Sequence, residues 1–211
     1  MSDENSCETD FTFSNNWFEI TAKKGWDALI PQINPKTILE IGSFEGASAC
    51  YLIANCAAKG SIEIHCIDTW EGGIEHKKAG INMGATERRF LNNTKIARSR
   101  VPHWVELITH KGRSDISLAK ILNQDFLNYF DLIYIDGSHL APDVLSDAVL
   151  SFPLLKVGGT MIFDDYLWRG NSQDILYSPK IAVDAFLNIY FHKMQVIFSP
   201  NSQVVAKKIS N

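Results

Sequence analysis

Long apolar runs are missing from this chain of 211 residues. The longest nearly apolar stretch, Ala47 to Ala58, is broken by Asn55 and falls far short of the about 20 residues that cross a bilayer, so no membrane partner is expected. A surplus of basic charge is missing too. Lys and Arg number 20 against 24 Asp and Glu, a net charge of −4 with pI near 5.8, whereas a nucleic-acid surface normally shows as a basic face, so no nucleic-acid partner is expected either. Cysteine is scarce: Cys7, Cys50, Cys56 and Cys66 form no C-x-x-C pair, which suits buried thiols in a reducing compartment better than a disulfide framework or a zinc site. Met1 to Asp10 is polar and acidic, unlike a secretory signal. The expectation is a cytoplasmic protein with a loose N-terminal tail.

What is present is the pattern of a globular α/β protein, with 45% apolar and 21% charged residues, which argues against disorder over most of the length. Short β-branched or apolar runs at 37–41, 62–67, 104–109, 131–135 and 160–163 each end in Gly, Asp or a polar turn. Between them, 46–58, 84–99, 114–127, 142–155 and 179–191 carry apolar residues at three- and four-residue spacings, so strands and helices alternate. That order predicts a doubly wound, Rossmann-like sheet of seven strands. Two runs at 194–199 and 203–209, separated only by Pro200-Asn201-Ser202, require a hairpin, so the sheet is mostly parallel with one antiparallel strand. Residues 15–30 read as a helix closed by Pro31. The division is then an N-terminal tail and helix over 1–35 and one domain over 36–211.

The first strand runs into Glu40-Ile41-Gly42-Ser43-Phe44-Glu45-Gly46, which puts two glycines at a strand end where doubly wound sheets bind ligands. The spacing is G-x-x-x-G. It lacks the third glycine of dinucleotide sites and the Lys-Ser/Thr pair of a P-loop, so a nicotinamide cofactor is the weaker reading, and the Glu40 carboxylate would repel phosphate and favour a cation. Asp68, 26 positions after Gly42, ends strand two where it can accept from a ribose diol. Gly112-Arg113-Ser114-Asp115 ends strand three and offers backbone and hydroxyl groups to an adenine edge. Together these describe a nucleoside with a positive, non-phosphate tail; a tight turn without a ligand is the bland alternative.

On these residues the chain resembles the class I S-adenosylmethionine-dependent methyltransferases over roughly 36–209. The resemblance implies that Glu40, Gly42, Ser43, Gly46 and Ser48 line the methionine end of that cofactor. Asp68 and Thr69 would take its ribose side, and Gly112, Arg113 and Ser114 its adenine, with Asp136 also bordering it.

A second cluster bears on the reaction. Strand four ends in Asp136-Gly137-Ser138-His139 and strand five in Asp164-Asp165-Tyr166. Parallel neighbouring strands bring Asp136, Asp164 and Asp165 to one rim, where they repel each other unless a hard cation such as Mg²⁺ or Mn²⁺ neutralises them. Turn or capping roles would explain a single aspartate. His139 can act as a base or serve only as a turn residue. The cluster narrows the resemblance to the metal-dependent O-methyltransferases, of the catechol and caffeoyl-CoA type and of the macrolide-sugar and cephalosporin-tailoring type. That group implies Asp136, Asp164 and Asp165 as metal ligands and His139 as catalytic base, and the histidine places the chain nearer the sugar type.

The function expected is methyl transfer from S-adenosylmethionine to a hydroxyl of a small molecule or glycoside. A non-catalytic nucleoside-binding regulatory or scaffolding protein is the alternative. A homodimer is among the assemblies left open. Residues 166–178, with Trp168, Arg169 and Gly170, read as a lid, and Trp17, Trp26 and Trp70 are candidates for an acceptor wall. Arg88, Arg89, Lys95, Arg98 and Arg100 read as a solvated helix face.

Overall fold

The computed structural model describes residues 10–73, 80–169, 173–198 and 202–211. Most of the N-terminal tail, residues 74–79, residues 170–172 of the expected lid and the tip of the closing hairpin at 199–201 lie outside the described residues.

Five parallel strands carry the site: β1 (Thr37–Ile41), β2 (Ile62–Asp68), β3 (Val105–Lys111), β4 (Phe130–Ile135) and β5 (Leu155–Phe163). β6 (Met194–Phe198) and β7 (Val204–Lys208) complete a seven-stranded sheet of order β3-β2-β1-β4-β5-β7-β6. β7 runs antiparallel to both β5 and β6, so one strand is reversed. The order switches direction between β1, which pairs β2 on one side, and β4 on the other. A doubly wound sheet opens its ligand crevice at that point.

Seven helices are described: α1 (Trp17–Thr21), α2 (Lys23–Ile33), α3 (Ala47–Cys56), α4 (Met83–Ser99), α5 (Ser114–Leu122), α6 (Ala141–Ser151) and α7 (Pro179–Ile189). They bury two apolar layers. Alternation along β1 sends Ile38 into one layer with Trp26, Leu52, Ile53 and Phe90, and Leu39 and Ile41 into the other with Leu118, Val144 and Phe186. Both faces of the central strands β1 and β4 are therefore covered, which is why their sequences are predominantly apolar.

The element boundaries depart from the sequence pattern in several places: the helices expected over 114–127 and 142–155 end at Leu122 and Ser151. The expected helix over 15–30 is two helices, α1 and α2, and Pro31 lies inside α2. Proline removes one donor but leaves φ helical, and Trp26, Leu29 and Ile30 hold the helix in the core. It ends at Asn34, whose left-handed φ of 41° lets its N–H close on Ile30 O at 2.8 Å. β5 starts at Leu155 rather than 160, because its N-terminal end pairs Phe130 of β4 across an irregularity.

Candidate active site

Backbone bonds level the strand ends. Gly42 N–H donates to Ile67 O (2.8 Å), Asp136 N–H to Ile41 O (2.8 Å), Asp164 N–H to Ile135 O (3.0 Å) and Gly112 N–H to Asp68 O (2.9 Å). Above them lies a cavity of about 530 Å³ walled by Gly42, Ser43, Ser48, Asp68, Thr69, Asp136, His139, Asp164 and Asp165. A second lobe of about 310 Å³ shares Gly42, Asp68, Thr69 and His139 and adds Gly112, Arg113 and Ser114. The folded chain thus places nearly every residue singled out from sequence on one crevice.

The glycine turn is shaped by contact. Gly42 has φ +89°, and a Cβ there would stand 2.0 Å from the carbonyl oxygen of Asp136, so the chain passes over β4 only without a side chain. Asp68 Oδ2 accepts the Phe44 N–H at 2.8 Å and its Oδ1 the Trp70 N–H at 2.7 Å. Phe44 and Trp70 both have positive φ, 45° and 51°; strain of this kind persists only where surrounding bonds over-determine it.

Two predicted cofactor residues sit behind this wall. Glu40 points to the α3 face of β1 and is fully buried, taking Ser48 Oγ at 2.5 Å and Cys66 Sγ at 3.5 Å; burial raises its carboxyl above the usual range. Gly46 has φ +82° and packs against α4, where a Cβ would meet the Phe90 ring at 3.0 Å. Gly46 serves helix packing, and strand alternation turned Glu40 away from the open crevice.

The acidic cluster is bridged by two residues that the sequence reading passed over. The Tyr134 hydroxyl bonds both Asp136 Oδ2 (2.9 Å) and Asp164 Oδ2. Gln203, immediately before β7, donates its Nε2 to the same Asp164 oxygen at 2.8 Å and accepts from Trp26 Nε1 at 3.1 Å. Asp164 Oδ1 takes the Asp165 N–H at 2.7 Å. Burial, then repulsion from Asp164 and Asp165, pushes the Asp136 carboxyl well above its usual range, and burial with repulsion from Asp165 raises Asp164. His139 Nε2 lies 2.8 Å from Asp165 Oδ2, and its ring stacks on Trp168 with centroids 4.1 Å apart. A polar residue directly ahead of the apolar run 204–206, as Gln203 is, was the available sequence signal.

The N-terminal segment closes one side. Trp17 lines the cavity with Asn15 and Phe18 and packs on Phe44 at 5.6 Å. Trp26 and Trp70 belong to the core instead; Trp168 is the other cavity tryptophan among the described residues. Arg89 also departs from the solvated-face reading. It bonds Glu45 at 2.5 Å, and that buried carboxylate also takes the Ser14 N–H (2.6 Å) and hydroxyl (2.8 Å).

The crevice fits an adenosyl ligand with a cationic tail. Ser43 and the Asp68, Asp136, Asp164 and Asp165 carboxylates line it, so acidic groups predominate. For a metal, the donor chemistry fits: carboxylates that hold each other above their normal range are relieved by a divalent cation. Among the described residues, however, no three His, Cys, Asp or Glu side chains converge as a metal-holding group, and Tyr134 and Gln203 already engage Asp164. Nor, among the described residues, is any helix long and apolar enough to cross a membrane.

Comparison with known proteins gives a consistent picture. A family profile described as a methyltransferase domain matches residues 39–166. An uncharacterized protein of Acanthamoeba polyphaga mimivirus is 29% identical over 147 residues, 69% of this chain and 55% of the relative, so the chain spans about half that relative's length. Among solved structures, the O-methyltransferase TomG from Streptomyces achromogenes, involved in tomaymycin synthesis and complexed with S-adenosylmethionine, superposes with TM-score 0.62 at 18% identity, covering 90% of this chain and 82% of TomG. An O-methyltransferase from Bacillus cereus, complexed with the demethylated cofactor, gives 0.56 at 19% identity with the same coverage. At these identities the likeness carries the fold.

Proposed function

From the premise that this chain belongs to the methyltransferase-domain family, we propose that it transfers a methyl group from S-adenosylmethionine to a hydroxyl of a small acceptor, sugars included, with a divalent cation. The observation that carries the reading is the convergence of Gly42, Asp68, Asp136, His139 and Asp165 on one cavity, with the Gly112–Ser114 lobe beside it.

When bound, S-adenosylmethionine supplies an electrophilic methyl on a cationic sulfur. Asp68 accepts from the ribose hydroxyls, and Ser43 and the Gly42 backbone meet the amino-acid end. Asp165 orients His139 through the 2.8 Å contact and stabilises the imidazolium that forms when the histidine takes the acceptor's hydroxyl proton. Asp136, Asp164 and Asp165 would hold the cation, which supplies a lowered hydroxyl pKa. Trp17 and Trp168 shield the reacting centre from water and help align the acceptor. Incubation with methyl-labelled cofactor and a panel of hydroxylated acceptors, beside calorimetry with S-adenosylhomocysteine, tests the proposal. Binding with label transfer to oxygen is expected, and calorimetry that detects neither cofactor form overturns it.

A further inference from the structure

The N-terminal segment is held to the site by polar bonds rather than by burial. Residues 10–16 belong to no helix or strand, and across 10–17 every residue is exposed except Asn15, which is half-buried. α1, which begins at Trp17, buries none of its residues. A stretch with so little apolar burial opens locally at low cost. Yet Asn15 and Trp17 line the cavity beside Ser43 and Ser48, so this exposed strap supplies part of the wall. Phe18, next along, is packed on Trp26 and Tyr51 with ring centroids at 5.1 and 5.3 Å, which gives the strap a fixed end to pivot on.

The groups that hold the strap down are buried. Glu45 is 2% exposed and sits inside the glycine turn, between Phe44 and Gly46. Its oxygens accept the Ser14 N–H at 2.6 Å and the Ser14 hydroxyl at 2.8 Å, and Arg89 of α4 pairs with it at 2.5 Å. Asn93, on the same helix and fully buried, accepts the Thr12 N–H at 2.8 Å and donates to the Thr12 carbonyl at 3.0 Å. The same amide donates to the Glu45 carbonyl at 3.0 Å. Asp10 and Phe11 add a looser contact to Arg100, at 3.4 and 4.7 Å. A buried polar group that loses its partner is costly, so lifting the strap strips Glu45 and Asn93 together. Glu45 also belongs to the turn that meets the amino-acid end of the cofactor, so its carboxylate reaches Ser14 only while the turn keeps this shape.

We propose that Glu45 is a positioning residue: by holding Ser14 it shuts residues 10–17 over the amino-acid end of the bound cofactor and seats Trp17 against the cavity. The proposal rests on the cofactor reading above. Hydrogen exchange of the full chain, followed by NMR at the Thr12 and Ser14 amides, tests it, because both protons are bonded to Asn93 and Glu45 side chains. S-adenosylhomocysteine is the probe, and calorimetry checks that it binds. In wild type the two amides should open together and exchange faster than those of β4, and ligand at about 100 times its Kd should slow both by about 10- to 100-fold. Ser14→Ala should speed exchange at Thr12, whose own bonds are untouched, by about 10- to 100-fold, and Ser14→Thr should restore the wild-type rate. Glu45→Gln, which keeps the shape and loses the ion pair, should speed both amides and remove most of the protection by ligand; a merely structural Glu45 would leave that protection intact. If Glu45→Gln fails to fold, the Ser14 pair decides. Thr12 exchange that ignores Ser14→Ala, or calorimetric binding without slower exchange, overturns the proposal and leaves the cofactor reading standing. Wild type that binds no ligand overturns both.

Discussion

Gly42→Ala isolates the contact on which the crevice depends. The new methyl would lie 2.0 Å from Asp136 O, 2.5 Å from Asp136 C and 2.7 Å from Gly137 Cα. All three are backbone atoms, and β4 cannot retreat freely because Asp136 N–H is held by Ile41 O at 2.8 Å. Left-handed backbone costs an L-residue about 1–2 kcal/mol, and overpacking against a fixed neighbour about 1–3 kcal/mol, so the loss should be about 2–5 kcal/mol. Gly158 provides the control: its φ is also +89°, but a Cβ there meets nothing within 4 Å. Gly158→Ala should therefore show only the backbone cost of about 1–2 kcal/mol. Urea unfolding followed by circular dichroism measures both; with m-values of about 2–3 kcal/mol/M, the two midpoints should differ by roughly 0.3–1.5 M. S-adenosylhomocysteine affinity should fall with Gly42→Ala and not with Gly158→Ala. Equal destabilisation by the two substitutions, within about 0.5 kcal/mol, would refute the argument that β4 forbids a side chain at this turn.

Three further outcomes are expected. His139→Ala should lower turnover by about 10²- to 10⁴-fold and remove the acid limb of the pH–rate profile while S-adenosylhomocysteine affinity changes little; a preserved limb would assign the histidine to turn structure. Mg²⁺ or Mn²⁺ should raise the thermal midpoint of wild type by relieving the Asp136, Asp164 and Asp165 repulsion, while Asp136→Asn should be more stable than wild type in chelator and lose the metal response; identical wild-type midpoints with metal and chelator would count against the cation. The Asp147 carboxyl is raised from 3.8 to about 7, so its contribution to stability is fully present below pH 4 and lost as pH rises through 7. Asp147→Asn, which does not titrate, should gain on wild type across that window by up to about 4 kcal/mol, and parallel pH–stability curves would show that the carboxyl is not held up by burial.

What could be read along the chain was whatever repeats or punctuates locally. Period-two and unbroken apolar runs marked β1 to β5, the short gap before Val204 required the hairpin, and Gly42, Asp68, Asp136 and Asp164 stand at strand ends because each follows the last apolar residue of its run, with Gly112 closing the more polar β3. Parallel pairing then levels those ends, so their meeting in one crevice follows from the element order. Partners drawn from distant segments were not legible. Tyr134 reads as a core aromatic until β7 brings Gln203 to the same Asp164 oxygen. Arg89 reads as a solvated cation until the N-terminal segment and the glycine turn bury Glu45 against it. Lys208 ends an edge-like pattern yet is 1% exposed, with its ammonium on Phe152 O and Leu155 O at 3.0 and 2.8 Å. The physical reason is the same in each case. Periodicity determines which face of an element is apolar, but the partner of a polar group is decided by where other elements cross it.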